Sequence, residues 1–319
     1  MLSWASVEPG ATYTGAMVMV VVLVLGQATG VAPAVGIPGV PPACQTAWAR
    51  AGNVWERAKR PELLRYCDLV ASARAKLSAD AAGAGAALDA AREAQRVVPG
   101  RVEALVLEGR ALVVLGDGPG AVRAFREAIE RDPRALDEPS SRLAWARSLA
   151  RTGQPGPASD AYRSLQPWAR ELRSADRASA ELEIGIAAMW RGRAGLDDAV
   201  NSLRAATRDS SDDVRSLAIL ALALALDRRG DGAAAREALS SGAMGDPRDR
   251  VDTPQAKALF ALAPSDARAA AALALEIGGE REGARDAWQA AVEANPNGPW
   301  TGYARVHAKA DRSTAFRRP

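Results

Sequence analysis

The sequence predicts an all-α fold, a solenoid of stacked antiparallel helix pairs, and three observations carry that prediction. A glycine turn recurs at Gly116, Gly153, Gly192, Gly230 and Gly279, at intervals of 37 to 39 residues and then 49. Each glycine precedes a helical segment with Ala near its start and a large residue four positions on: Ala121/Phe125/Ala128, Ala158/Tyr162/Leu165, Ala199/Leu203/Ala206, Ala235/Leu239 and Ala284/Trp288/Ala291. A near-constant period of this length marks units that cannot bury their apolar faces alone and must stack. The third observation is composition: 48% hydrophobic and 25% charged residues describe a globular chain, while only 5% aromatics leave the packing to Ala and Leu, both strong helix formers. No alternation of β-branched residues argues for a sheet.

The chain opens on a tract without charge from Pro9 to Ala49. Inside it, Ala16 to Leu25 is a core of about ten apolar residues, which suits a signal peptide and is short of the roughly 20 needed to span a membrane. Ala32-Pro33-Ala34 offers a cleavage site, with Ala28 and Gly30 as rivals. The segment before the core lacks the usual positive charge, holding only Glu8 and the amino terminus. Residues 1–34 therefore read as a signal peptide, with an uncleaved membrane anchor or an unprocessed chain as alternatives. Residues 35–42 read as a Pro/Gly linker and 43–80 as an N-terminal helical pair, with helices over about 45–59 and 61–78 and Pro61 at a helix start.

Cys44 and Cys67 are the only cysteines. Two thiols in an exported chain suggest one disulfide. Against it, a simple helical hairpin offsets the two positions by about 15 Å at 1.5 Å per residue, beyond the roughly 7 Å between Cα atoms that a bridge tolerates. The bond requires Cys44 to double back or the first helix to break at Gly52-Asn53. Lipidation at Cys44 is disfavoured by its distance from Leu25.

The repeats follow. Val102 to Leu115 places Val102, Leu105, Leu112 and Leu115 on one stripe, with Gly109 in its middle. Gly116-Asp117-Gly118-Pro119 breaks that helix. The next runs from Ala121 to Arg131 and ends at Asp132-Pro133, because a residue before proline avoids the helical region. Farther on, Ser240 to Thr253 reads as a loop, Gln255 to Leu262 as an extra short helix, Ser265-Asp266 as the cap of the next helix and Pro299 to Ala310 as a terminal capping helix. Residues 312–319 form a basic tail.

Gly109, Ala121, Phe125, Ala128 and Pro133 stand at the spacing of the tetratricopeptide repeat signature, and this unit resembles that family. Ala284, Trp288, Ala291 and Pro296 repeat the pattern; Gly185, Ala199, Leu203 and Ala206 do so after two extra residues in the turn. The units at Gly153 and Gly230 are degenerate, and a weaker one has Ala87, Ala91, Ala94 and Pro99. The resemblance covers roughly residues 75–310, within repeats assigned to 81–311. It implies a right-handed solenoid whose first helices line an inner groove and bind a protein or peptide. The period exceeds the family's usual length of about 34 residues, so turns and helices are lengthened. Mapped by that spacing, the groove holds Glu103, Arg110 and Val114; Leu143, Arg147 and Arg151; Leu182, Ile186, Met189 and Trp190; Leu220, Leu224 and Arg228. The expected partner-binding residues are Arg110, Arg147, Arg151, Trp190 and Arg228. Arg110, Arg147 and Arg151 should form one basic patch for an acidic partner, with Trp190 as an anchor. The Asn and Lys with which some members grip a terminal carboxylate are absent.

Other chemistry is not supported by the residues. His307, the single histidine, sits near Lys309 on the last helix and reads as a surface residue, which disfavours Ser/His/Asp and zinc-histidine motifs. Gly116-x-Gly118-x-Gly120 lacks the lysine and strand of a phosphate loop. Asp209-Ser210-Ser211-Asp212-Asp213 reads as a cap for the helix opening at Val214 rather than a calcium site. The net charge of +3, with 41 basic against 38 acidic residues and only four lysines, fits GC-rich codon usage better than nucleic-acid binding. The expectation is a non-enzymatic scaffold without metal or cofactor, exported to the periplasm or envelope of a bacterium, or held at the inner membrane if its apolar segment is uncleaved. The alternative is a structural subunit packing through its terminal repeats.

Overall fold

A computed structural model describes residues 44–45, 60–79, 82–208, 211–241 and 245–309. The expected signal segment, linker and basic tail, and most of the expected helix over 45–59, lie outside the described residues. All regular structure among the described residues is helical. The helices are α1 (Pro61–Ala79), α2 (Ala84–Val97), α3 (Val102–Leu115), α4 (Gly118–Arg131), α5 (Pro139–Arg151), α6 (Pro155–Leu165), α7 (Ser174–Trp190) and α8 (Leu196–Arg208). They continue as α9 (Asp212–Arg229), α10 (Gly232–Ser240), α11 (Pro247–Val251), α12 (Pro254–Leu259), α13 (Pro264–Gly278), α14 (Arg281–Ala294) and α15 (Thr301–Lys309). Short 3-10 turns cover Gln166–Glu171 and Gly192–Gly195.

Neighbouring helices pair as α1/α2, α3/α4, α5/α6, α7/α8, α9/α10 and α13/α14. The five anchor glycines all occupy the left-handed region, with φ between 69° and 94°. At Gly116 the backbone turns to a left-handed cap, and its N–H donates to the carbonyls of Leu112 and Val113. That conformation is nearly free only to glycine, which is why the period of the fold is written in glycines. Asp117 then caps α4 by accepting from the Gly120 N–H at 2.8 Å.

First helices of successive pairs pack on one another at four of the five steps, α1 with α3, α3 with α5, α7 with α9 and α9 with α13, and α5 is joined to α7 through Arg147 and Glu183. No comparable contact joins successive second helices among the described residues, so the first helices form the inner side of the stack. Buried small residues hold it close. Ala121, Phe125 and Ala128 are buried, as are Ala199, Leu203 and Ala206, and Ala284, Trp288 and Ala291. The Phe125 ring sits over Gly109, and Leu203 sits over Gly185, where an added Cβ would fall 2.5 Å from the leucine Cγ.

Several expectations change here. The stretch read as a loop over Ser240–Thr253 contains α11, opened by Pro247 and capped by Asp246, which accepts from the Arg248 N–H at 2.8 Å. Ser265-Asp266 does not cap α13; the helix begins at Pro264 after Ala263, and Asp266 is buried in its first turn. The proline sets the helical φ one residue early and frees the carboxylate for a tertiary contact. Cys44 and Cys67 are bonded and buried, with Cα atoms 5.4 Å apart. Cys44 therefore lies beside α1 without the offset expected of a simple hairpin.

Candidate protein-interaction face

The inner face places the expected arginines at their first-helix positions, but intramolecular acids hold most of them. Arg110, on α3, contacts Glu138 at 3.2 Å. Arg147, on α5, binds Glu183 of α7 with its Nε 3.0 and 2.9 Å from the two carboxylate oxygens, and donates from Nη2 to Ser179 Oγ at 3.1 Å. Arg151 is exposed and donates from Nη1 to the Val113 carbonyl at 2.7 Å. Arg228 is buried, with Nη2 2.8 Å from Asp266 Oδ1. In three of these four cases the arginine clamps its own repeat to an acid near or in the following pair. The three residues expected to make one patch are thus not left as free charge: Arg147 is neutralised within the stack, and Arg151 is turned onto a backbone carbonyl.

Burial is the largest influence on Glu183 and pushes its carboxyl up, against the pull of Arg147. Burial alone would lower the Arg147 guanidinium, but Glu183 outweighs it and holds the group above its usual value. The short double contact identifies the pair as charged and hydrogen-bonded. An ion pair taken out of water gains little net stability, but losing one partner strands the other.

Arg228 belongs to a different neighbourhood. Its guanidinium carbon lies 4.7 Å from the Trp300 ring centre and 5.7 Å from that of Tyr303. Trp300 Nε1 donates to the Met189 carbonyl at 2.8 Å, and the Tyr303 hydroxyl donates to Asp227. Trp190 packs partly buried beside Arg228 and Trp300, lining a small hollow rather than standing free as an anchor. His307 is only partly exposed. It stacks on Trp288 at 4.6 Å, faces Tyr303 at 4.6 Å and lies 2.9 Å from Glu276 through Nδ1. This aromatic and carboxylate cluster docks α15 on α14.

A local surplus of positive charge lies at the other end of the inner face. Arg74 of α1 and Arg110 both contact Glu138, each at 3.2 Å. Arg173, just before α7, reaches back to the Ser78 carbonyl at 2.8 Å and pairs with Asp176. Burial is the main cause that lowers the Arg110 guanidinium; the charges of Arg74 and Arg173 push the same way, and Glu138 only partly offsets them. Three guanidinium groups here meet two carboxylates. Arg74 Nε is buried without a hydrogen-bond partner among the described residues. Arg74 and Arg173 escaped the sequence reading because one precedes the recognisable repeats and the other lies in a turn.

Among the described residues, no group of three His, Cys, Asp or Glu side chains could hold a metal ion. None of the described helices is long and apolar enough to cross a membrane.

No model of a known protein family matches this chain, and no curated protein matches it. Among solved structures, it is similar to the crystal structure of the APC/C hetero-tetramer Cut9-Hcn1, at 14% identity and a TM-score of 0.40, over 84% of this chain and 45% of that one. It is also similar to Naa15/Naa10 bound to HypK-THB, at 14% identity and a TM-score of 0.38, over 79% of this chain and 40% of that one. The chain spans less than half the length of either. At those scores the likeness adds nothing to the architecture set by the helix pairing itself.

Proposed function

We propose that this chain is a non-enzymatic scaffold of the bacterial cell envelope, which takes an acidic segment of a protein partner on its inner face. The observation that carries the reading is the convergence of Arg74, Arg110 and Arg173 on the two carboxylates of Glu138 and Asp176. The excess positive charge, with Arg173 its exposed member, offers hydrogen-bond donors to a carboxylate supplied from outside. A concentrated positive surface also speeds encounter with an acidic partner, and salt screens that effect. The uncharged opening tract supports delivery to the envelope, by cleavage or as an anchor.

The test is in-cell crosslinking and recovery of the native partner with the Arg74→Ser/Arg173→Ser double variant. Capture should fall by about tenfold, at unchanged helical content, and wild-type capture should weaken with salt. Equal capture by the double variant would overturn the assignment of this face. A second reading, assembly through the terminal helix, is favoured by Val306, which stands 68% exposed on α15. Val306→Asp would then dissolve an assembly that the arginine variant leaves intact.

A further inference from the structure

Two clefts lie at equivalent places in different repeats. Aligned on their left-handed glycines, Gly153 and Gly279, the α5/α6 and α13/α14 pairs match position for position. Arg142, Trp145, Asp160 and Ala161 line the first cleft; Arg268, Ala271, Asp286 and Ala287 line the second. Both clefts thus carry an arginine on the first-helix wall and an aspartate on the second-helix wall. Their volumes are about 400 and 570 Å³.

The first cleft takes one wall from the chain just before α5. Ile129, Pro133 and Leu136 form its third wall. Arg142 fastens that wall, donating from Nε to the Leu136 carbonyl at 2.8 Å and from Nη2 to Asp137 at 2.9 Å. Asp160 is paired with Arg163 at 2.6 Å. The second cleft likewise takes a wall from the chain before α13, through Val251, Asp252, Lys257 and Phe260, but it differs in three ways. Tryptophan is replaced by Ala271, which widens the floor. Second helices α2, α4, α6 and α8 each pack on the first helix of the next pair, but α10 makes no comparable contact with α13, where the short α11 stands instead. Finally, Arg268 and Asp286 make no hydrogen bond or salt bridge among the described residues; Asp252, which feels the Arg268 charge, is already paired with Lys257 at 2.8 Å.

We infer that the α13/α14 cleft is a second protein-binding site, which takes a partner segment carrying a bulky apolar residue followed directly by Asp or Glu. The chemistry is that by which Arg142 holds the Leu136-Asp137 pair at the wall of the equivalent cleft: the apolar side chain enters the cleft over Ala271 and Phe260, and the acid meets Arg268. The absent tryptophan leaves room for an aromatic side chain in place of leucine. This site is separate from the arginine cluster of the inner face and stands or falls independently of it.

The test uses the full chain and a fluorescent synthetic peptide copying residues 129–138 with Leu136→Trp. Saturable binding is expected, weakened about tenfold by Arg268→Ser, by Ala271→Trp and by Asp137→Asn within the peptide. Arg268 is exposed, so its variant folds even where the Ala271 variant does not. Absence of saturable binding, or equal affinity for the wild-type and Arg268→Ser chains, overturns the site. A photo-crosslinker at Ala287 in cells then fixes the occupant. Mapping of the crosslink to an apolar–acidic segment of another protein, with its loss in Arg268→Ser, supports the inference. Crosslinks only to residues 310–319 of the same chain, only to a second copy, or to no protein at all overturn it.

Discussion

A Cβ added to Gly109 would lie 2.9 Å from three ring carbons of Phe125, so the ring of the second helix rests directly on the backbone of the first. Phe125 is fully buried and meets Trp145 edge-on at 5.9 Å, which carries the contact into the next repeat. Gly109→Ala forces the ring outward, and overpacking of this kind costs about 1–3 kcal/mol. Phe125→Ala removes the ring and costs about 3–5 kcal/mol. Because the two residues share one contact, the double variant should lose less than the sum of the single losses. Urea denaturation of the three variants checks this; strict additivity would show that the contact is not formed.

Arg228 and Asp266 form a buried ion pair between α9 and α13, with side chains 1% and 6% exposed. Asp266→Ala leaves a guanidinium without its counter-charge and should cost about 3–5 kcal/mol. The combined Arg228→Met/Asp266→Leu change should be much milder, since neither charge then has to be desolvated. Chemical denaturation measures both, and an Asp266→Ala loss below that of the double variant contradicts the pairing.

The Cys44–Cys67 bond spans a sequence separation of 23 residues. Closing a loop of this size limits the unfolded chain, and its removal should cost about 3 kcal/mol. The melting temperature should therefore fall in reductant for the wild type and stay unchanged for the Cys44→Ser/Cys67→Ser variant. Identical melting with and without reductant in the wild type would mean the bond adds no stability.

Glu276 should contribute to acid sensitivity. Burial would raise its carboxyl, but the hydrogen bonds and charge of His307 and the Trp288 N–H outweigh burial and hold it below the usual carboxylate value. A carboxyl lowered in the folded state binds fewer protons there than in the unfolded chain. Its contribution is present above the ordinary Glu value near 4.5 and is lost as pH falls through the lowered folded value. Melting temperature followed between pH 6 and about 3 should fall less steeply for Glu276→Gln than for wild type. A parallel decline in both would contradict this role.

Much of the architecture was legible because it depends on residues close in sequence. The left-handed cap at Gly116, the proline-terminated second helix and the 3.6-residue apolar stripe are local features, and α3 runs over the residues that its stripe marked out. The arginines of the first helices were legible as positions but not as free charges. Their acids stand 28 to 38 residues away, outside any periodic pattern, and only the stacking of neighbouring pairs brings them into reach. The same holds for His307, whose ring meets Trp288 and Glu276 from two other helices and Tyr303 from the preceding turn of its own. The sequence by itself determined the helical class, the repeat period and the small-against-large packing, since each follows from backbone preference and side-chain volume within one unit. The tertiary structure alone decided which charges remain available, because availability depends on the carboxylate that a neighbouring repeat presents. That is why Arg147 and Arg228 act as clamps between repeats, while Arg268 makes no ion pair among the described residues.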